Sequence, residues 1–455
     1  MKQILLIFLA VFSIICKGQL IYPHSEGFGS DSRAAYGGSI HPKILLVDNL
    51  STSNNGDEQT GRGTFIWGIT RDYPRIILFE ISGTIDLTPL GGISIDIRSP
   101  YISIYGQTAP SPGITIRGGY LRFYTHDVLI QHIRFRTGDE NPPEEVDCIS
   151  MRAGSYNIVV NHCSMSWSVD ECIGVNTSNL GHNITLSNCI VSEALSNSYH
   201  SKGEHSKAIT ILATQHVSII KNLIAHHTDR SPFFNDGCTN IWVANNMIYN
   251  VALNRIYFKN EWNDEHIICY ASIVGNYLKM GPDHTSGNTI LRIAEMEPGS
   301  KVFLEDNYVP GVNEQWDMVI NEVGNDIVSY TPIIWLENFQ LLNVANVPEY
   351  IYYTSGARPL DRDNVDQRVI HTVQNGTGAI INSQDEVGGW PELEENSRVL
   401  TIPLNPHQEY DSTGYTNLEI WAYQYHLQLT DTTFYPVIID HCLTQNLLNH
   451  RGNRD

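Results

Sequence analysis

A short phrase repeated along the middle of the chain limits the possible folds more than any other feature of the sequence. Between residues 102 and 309 the successive versions are VLIQHIRFR, IVVNHCSMS, ITLSNCIVS, SIIKNLIAH, WVANNMIYN, SIVGNYLKM and FLEDNYVPG. Each version alternates apolar and polar residues, is rich in Val and Ile and lacks helical periodicity, which is typical of strands with a bend. Self-similarity at a period of a few tens of residues indicates a solenoid. The strand content predicts a right-handed parallel β-helix, an all-β fold.

An Asn or His stands at the centre of every version, and the spacings of this row are 30, 26, 34, 24, 30 and 31 residues. Side-chain amides at a repeated bend satisfy backbone groups and stack between coils. We therefore expect one edge of the solenoid to carry a ladder made by Asn188, Asn222, Asn246, Asn276 and Asn307. The unequal spacings indicate loops of varying length at one corner, where functional sites are built. A long open groove on such a rod suits an extended polymer.

The chain begins with a lysine, an apolar run and then small and polar residues, MKQILLIFLAVFSIICKG, which is the layout of a secretory signal peptide. We divide the chain into a signal peptide at residues 1–18, a parallel β-helix at 19–340 and a C-terminal extension at 341–455 packed on it. Cys16 leaves a lipoprotein as an alternative, although Ile15 stands where a small residue is usual. No later segment reaches the ~20 apolar residues of a membrane span. The expected location is extracellular or periplasmic.

The formal net charge of −21 makes nucleic acid an unsuitable partner. An anionic substrate would need a local group of cations on such a chain, and we expect a monomer. Cys148, Cys163, Cys172 and Cys189 lie in apolar runs without CxxC spacing, so buried thiols are expected rather than disulfides.

Longer phrases point to one family. In chain order they are FEISGTIDL, YGQTAPSPGITIRGG, HDVLIQHIRFRTGD, DCISM, NHCSMSWSVDE, HHTDRSPFF, VANNMIYN and RDNVDQRVI…NGTG…EVGGWPEL. Together they resemble the pectate lyase superfamily, polysaccharide lyase family 1, and its secreted bacterial members in particular. The resemblance covers most of the chain after the signal peptide. It implies a right-handed parallel β-helix and calcium-assisted eliminative cleavage of a polyuronate, with homogalacturonan (pectate) as the default substrate.

Elimination removes the C5 proton of a uronate and expels the oxygen on C4. That proton lies next to a carboxylate, so cations that neutralise the carboxylate stabilise the transition state. The resemblance assigns the base to the Arg-x-Pro step Arg230-Ser231-Pro232. Arginine in water keeps its proton up to a pKa above ~12, so this role requires nearby cations and desolvation. The alternative is a turn arginine paired with Asp229 or Asp236.

The resemblance also implies a calcium site. Asp147 and Asp170 match positions of the family's calcium ligands, and Glu171 is a further candidate, although strand alternation points it away from Asp170. Calcium takes about 6–8 oxygen ligands, which leaves room for substrate carboxylates. The alternative is a set of solvated loop acids.

The remaining cations complete the predicted site. Lys207 directly precedes an apolar strand, as the family's auxiliary lysine does, and Lys202 stands in a longer loop suited to a second sugar. Either lysine has the alternative of being an ordinary exposed residue. Asn235 occupies the place where the family carries a second arginine, so this substrate-binding position departs from the pattern.

Two other functions are left open by the residues. A β-helix glycoside hydrolase needs closely placed carboxylates as acid and base, and a non-catalytic carbohydrate-binding rod is supported by the missing second arginine. Arg134 and Arg136 alternate with apolar residues, so they are expected to face outward and pair with acids such as Asp139. Trp167 and Trp242 are expected either to stack on sugars or to pack in the core.

Overall fold

The computed structural model describes residues 19–91, 94–140, 146–235, 237–260, 267–285, 287–430 and 433. The regular structure consists mainly of short strands. The strands are β1 (Lys43–Asn49), β2 (Gly56–Asp57), β3 (Arg62–Thr64), β4 (Arg75–Phe79), β5 (Gly83–Asp86), β6 (Ser94–Ile97), β7 (Ile102–Tyr105), β8 (Ile114–Arg117), β9 (Tyr120–Phe123), β10 (His126–Gln131), β11 (Ile133–Arg136), β12 (Ile149–Met151), β13 (Tyr156–Asn161), β14 (Ser164–Ser166), β15 (Glu171–Ser187), β16 (Ile190–Ser192), β17 (Lys207–Ile220), β18 (Leu223–His227), β19 (Phe233–Asn235), β20 (Thr239–Ala244), β21 (Met247–Val251), β22 (Ile256–Lys259), β23 (Tyr270–Val274), β24 (Tyr277–Lys279), β25 (Leu291–Ile293), β26 (Lys301–Glu305), β27 (Val319–Asn321) and β28 (Val328–Ser329). The α-helices are α1 (Ala35–Gly38), α2 (Phe65–Ile69), α3 (Val347–Thr354), α4 (Asn364–Asn375) and α5 (Asn417–Leu429).

Parallel pairing between successive coils organises these strands. One sheet runs in the order β5, β8, β11, β14, β16, β18, β21, β24, and every neighbouring pair in it is parallel. The other strands form a larger sheet that is parallel apart from the β2–β3 pair. From β4 to β24 the chain alternates between the two sheets, so it winds as a right-handed parallel β-helix, as the repeat predicted.

The interior of the helix is filled by columns of aliphatic side chains, one from each coil. One column in register across seven strands is Ile130, Val160, Leu186, Ile219, Val243, Ile273 and Leu304. All of these side chains are buried, and burying each one stabilises the fold by roughly 1.5–3 kcal/mol. This stacking gives the loops outside it a rigid support.

An asparagine ladder runs along one edge. Asn222 donates through Nδ2 to Oδ1 of Asn246 at 3.0 Å, and the same contact joins Asn246 to Asn276 at 2.9 Å and Asn276 to Asn307 at 3.0 Å. The ladder was predicted at these positions, but the prediction was wrong for Asn188. That residue takes the left-handed bend position with φ 53°, one residue before the ladder position of its coil, and its Oδ1 accepts a hydrogen bond from another part of the chain.

The C-terminal part of the chain packs along the outside of the β-helix. Buried residues of α3 and α4 share a hydrophobic cluster with β18 and β21, and α5 packs through Leu418 and Ala422 against residues of the first coils. His426 of α5 lies 2.8 Å from His132, measured between Nδ1 and Nε2. The boundary at residue 341 stays a prediction, and the signal peptide at 1–18 lies outside the described residues. No helix in the described ranges is long and apolar enough to cross a membrane.

A buried arginine cluster joins the extension to the β-helix. It consists of Arg134, Arg136, Asp363 and Asp366, all of them inaccessible to solvent at the side chain. Arg136 Nη2 lies 2.7 Å from Asp366 Oδ1 and 3.1 Å from Asp363 Oδ1. The two arginines point away from the interior that holds Ile133 and Phe135 and pair with acids, as predicted. The suggested partner Asp139 was wrong, because the acids come from a distant segment that also covers the arginines.

Two of the remaining expectations concern buried side chains. Cys148, Cys163, Cys172 and Cys189 are buried free thiols, as predicted. Trp167 and Trp242 are both fully buried, which makes them core residues in this structure.

Candidate active site

Four neighbouring strands begin next to one another at the predicted site. Asp147 lies two residues before β12, Asp170 and Glu171 stand at the start of β15, Lys207 is the first residue of β17, and Arg230 lies three residues before β19. These strands pair in parallel in the order β12, β15, β17, β19. Because parallel strands begin at the same edge, residues from four coils meet in one place.

The three acids form what we call the carboxylate cluster, Asp147, Asp170 and Glu171, whose oxygens lie within 4.8 Å of one another. Asp170 stands in a bend before β15 rather than in its pleat, so strand alternation does not turn Glu171 away from it as expected. Asp147 is accommodated by the lack of a side chain at Gly174, where an added Cβ would lie 2.5 Å from Asp147 Oδ2.

The electrostatics of the carboxylate cluster are unbalanced. Burial, followed by the charges of Glu171 and Asp170, raises the pKa of Asp147 well above its usual range. Burial and Asp170 also raise the pKa of Glu171, against the attraction of Arg230. Buried carboxylates that repel one another favour the uptake of a cation or a proton. Hard oxygen donors of this kind are the ligands that calcium prefers, so the donor set fits a calcium ion.

Arg230 reaches toward the carboxylate cluster. Its backbone has φ 61°, its side chain is 18% exposed, and its guanidinium forms an ion pair with Glu171. Nη1 also lies 3.3 Å from Thr210 Oγ1. Asp229 accepts the backbone N–H of Arg230 at 2.8 Å, while Asp236 lies outside the described residues. The side chain of Arg230 is therefore held on the coil that follows the coil of Lys207.

The two lysines occupy different environments. Lys207 is mostly buried, stands opposite Glu171 in the β15–β17 register, and places Nζ 3.5 Å from Asp229 Oδ2. Burial lowers the pKa of Lys207, against the attraction of Asp229. Lys202 is exposed and belongs to the loop before β17. The structure thus brings Lys207 to the carboxylate cluster and leaves Lys202 at the surface beside it.

Asn235 is in β19, the strand that pairs with β17. It pairs with Leu212 on one side and with Lys259 of β22 on the other. The residue is only 1% exposed, so contact with a substrate at this point requires neighbouring groups to move. Its assignment to substrate binding stays a prediction.

Two histidines that the sequence analysis did not identify border the carboxylate cluster. His205 Nε2 lies 2.7 Å from Asp170 Oδ1, and His200 Nε2 lies 3.5 Å from the same oxygen. The two imidazole rings stack with centroids 3.6 Å apart. Burial, followed by the neighbouring His200, lowers the pKa of His205 to about 3. The signal in the sequence was a pair of histidines on either side of Lys202.

A column of outward-facing residues continues from the site along the larger sheet. In register, its members are Gly174, Thr210, Phe233, Tyr257 and Arg292. The rings of Phe233 and Tyr257 stack with centroids 4.9 Å apart, and Arg292 Cζ lies 5.3 Å from the Tyr257 ring. Phe233 is buried, whereas Tyr257 and Arg292 are partly exposed. An aromatic face followed by a cation suits an extended acidic sugar chain.

Comparisons with known proteins agree with this architecture. No family model matches the chain. It is 26% identical over 446 residues to a probable pectate lyase C of Neosartorya fischeri, covering 92% of this chain and 96% of the relative. It is 28% identical over 431 residues to a probable pectate lyase C of Emericella nidulans, covering 89% and 92%. Both relatives are fungal, whereas the phrases had suggested bacterial ones.

Among solved structures, the chain is similar to jun a 1, the major allergen from cedar pollen. The TM-score is 0.50 at 15% sequence identity, covering 73% of this chain and 92% of that chain. This likeness supports the β-helix fold alone. Over about nine-tenths of its length the chain is therefore similar to relatives named probable pectate lyase C.

Proposed function

We propose that the protein is a polysaccharide lyase that cleaves a polyuronate by β-elimination, with homogalacturonan as the expected substrate. The observation that carries this proposal is that Arg230, Lys207 and the carboxylate cluster lie at the same end of four adjacent parallel strands. The names of the sequence relatives agree with it. Elimination needs a base, extra cations and hard oxygen ligands on one face, and the site supplies all three.

Asp147, Asp170 and Glu171 would hold calcium. Three carboxylates provide fewer than the about 6–8 oxygens that calcium takes, so positions remain for substrate carboxylates and water. When bound, calcium would neutralise the uronate carboxylate and make its C5 proton more acidic. The raised pKa values of Asp147 and Glu171 support this use, because an added cation relieves the repulsion that raises them.

Arg230 is the proposed base. Its side chain takes the proton from C5, the C4–O bond breaks, a double bond forms between C4 and C5, and the departing oxygen takes a proton from water. For this step Arg230 must first be neutral. In the structure its guanidinium is engaged in the ion pair with Glu171, which must open before a ring nearby can be attacked. We therefore propose that Glu171 turns from Arg230 toward the other two carboxylates in the active state.

Substrate binding is proposed to extend beyond the reacting sugar. Tyr257 offers an aromatic face and Arg292 a half-exposed guanidinium on the two rungs after β19. Lys202 offers a further exposed cation before β17. Arg292 and Lys202 would thereby supply the positive charge that the family's second arginine provides and that Asn235 does not.

The test is an ultraviolet assay over a panel of uronates, with calcium and with chelator. A lyase releases a conjugated unsaturated uronide that absorbs in the ultraviolet, and its rate falls when calcium is removed. Reducing ends without that absorbance would indicate a hydrolase instead, for which carboxylates with raised pKa such as Asp147 are suitable acids. Substrate binding without either product would indicate a non-catalytic rod. We also propose that the enzyme is secreted and acts as a monomer.

A further inference from the structure

We propose that His205, supported by His200, is a positioning residue that orients the Asp170 carboxylate for calcium. The inference rests on the proposed function in one respect, namely that calcium is the cation held by the carboxylate cluster. It assigns a role to a histidine pair outside the predicted site residues.

The contact geometry carries the inference. His205 Nε2 lies 2.7 Å from Asp170 Oδ1, a distance at which a neutral imidazole N–H donates to a carboxylate. Asp170 is 27% exposed at the side chain and His205 only 6%, so a buried donor contacts a more exposed acceptor. The histidine thereby fixes Oδ1 of a carboxylate that belongs to the carboxylate cluster.

The proton positions favour this role over direct metal binding by the histidines. The backbone N–H of Lys202 donates to Nδ1 of His200 at 3.2 Å. Because Nδ1 accepts this bond, Nε2 is the nitrogen that bears an N–H, and it lies 3.5 Å from Asp170 Oδ1. A ring nitrogen that carries a proton cannot ligate a metal. His200 therefore turns an N–H, and not a lone pair, toward the same oxygen of Asp170.

The pair is itself held in place. The rings of His200 and His205 stack with an interplanar angle of 9°. The backbone N–H of His205 donates to the carbonyl oxygen of Ser196 at 2.9 Å, which ties the loop to the end of the preceding coil. Without these donors, repulsion from Asp147 and Glu171 would turn Asp170 toward solvent. Loss of a residue that orients a ligand typically weakens metal binding by about 10–100-fold.

The experiment compares two substitutions of His205. His205→Phe keeps the stacked ring but removes the donor, whereas His205→Gln keeps an N–H near the place of Nε2. Calcium dissociation constants are measured by titration calorimetry on the full chain, together with the calcium dependence of ultraviolet product formation. We expect His205→Phe to weaken calcium binding about tenfold, with kcat at saturating calcium changed less than about twofold, and His205→Gln to recover most of the affinity.

A matched control is His182→Phe, since His182 also stacks on an aromatic ring, that of Tyr156, on another part of the β-helix. We expect no change in calcium affinity from it. If His205→Phe does not fold, as judged by circular dichroism, His200→Phe replaces it and is expected to give a smaller weakening. The inference is overturned if the variant that folds binds calcium with wild-type affinity, or if the Phe and Gln variants weaken calcium binding equally. It is also overturned if the wild-type protein binds no calcium. Calcium binding without ultraviolet product would instead count against the proposed lyase function alone.

Discussion

The buried arginine cluster and the carboxylate cluster both hold charges away from water, but only the first is balanced. The arginine cluster contains two arginines and two aspartates. Burial alone would raise the pKa of Asp363, yet Arg136 and Arg134 outweigh it and hold that pKa below its usual range. In the carboxylate cluster the pKa of Asp147 is raised instead.

The difference separates a cluster that supports the fold from one that is suited to binding a cation. Removing one partner from a buried ion pair leaves an uncompensated charge and is strongly destabilising. The carboxylate cluster has three acids, and in the described part of the chain ion pairs reach it from the arginines Arg230 and Arg152. A buried acid whose pKa is raised is therefore a position where binding a cation would relieve the repulsion.

The largest effect is expected from Arg230→Lys, which keeps the charge of the ion pair but changes the group that accepts the proton. We expect ultraviolet product formation to fall about 10³-fold, because general base catalysis typically contributes 10²–10⁴-fold. Calcium affinity and the melting temperature should change little. Arg71→Lys, in an exposed pair with Glu58, is the control and should keep its rate. Near wild-type turnover in Arg230→Lys would contradict the proposed mechanism.

The two clusters should respond to the same substitution with opposite changes in stability. Asp363→Asn removes a balancing charge and is expected to lower the free energy of unfolding by about 3 kcal/mol. Asp147→Asn removes a charge that burial penalises, so in chelator it should leave the melting temperature equal or higher. It should also abolish the stabilisation that calcium gives to the wild type. Thermal melts with and without chelator measure both effects, and destabilisation by Asp147→Asn in chelator would show that the two clusters do not differ.

The pH dependence of stability should distinguish the same two acids. The folded pKa of Asp363 is lowered, so its contribution is present above the unfolded pKa of about 3.9 and is lost as pH falls through the folded value. The folded pKa of Asp147 is raised, so its penalty appears as pH rises through the interval between the unfolded and folded values.

In melts at a series of pH values in chelator, the difference between wild type and Asp147→Asn should close at a higher pH than the difference between wild type and Asp363→Asn. Closure of both differences at the same pH would contradict the opposite shifts.

The smallest effect is expected at an exposed pair, Arg292 and Glu322, whose Nη2 and Oε1 lie 2.9 Å apart. Exposed pairs contribute up to about 1 kcal/mol, so Arg292 can exchange this partner for a substrate carboxylate at little cost. Arg292→Ala should raise the KM for polygalacturonate about fivefold while kcat changes less than twofold. Glu322→Gln is the matched control and should leave KM equal or lower. An unchanged KM in Arg292→Ala would remove this residue from the binding surface.

The sequence was sufficient for the fold because each coil repeats the same local pattern. The phrases in the sequence also identified Asp147, Asp170, Lys207 and Arg230, which the structure brings to neighbouring strands. The sequence failed where contacts join distant segments. Arg136 binds acids 227 and 230 residues away, and no local pattern indicates such partners.

His205 was missed for a related reason. Its importance depends on a loop that folds back to reach Asp170, 35 residues earlier in the chain. The error at Asn188 had a different cause, since an asparagine suits both the left-handed bend and the ladder position beside it. Single-residue register cannot be assigned from a pattern that both positions satisfy.

The in-register column on the larger sheet has a consequence for the length of substrate the enzyme can use. From β12, where the carboxylate cluster begins, to β25, which carries Arg292, there are five strand-to-strand steps. At about 4.8 Å per step this is a distance of about 24 Å. A disaccharide held at the carboxylate cluster is too short to reach Arg292, whereas an oligomer of several sugars can touch both. Short fragments should therefore be held less tightly and released, while long chains remain bound.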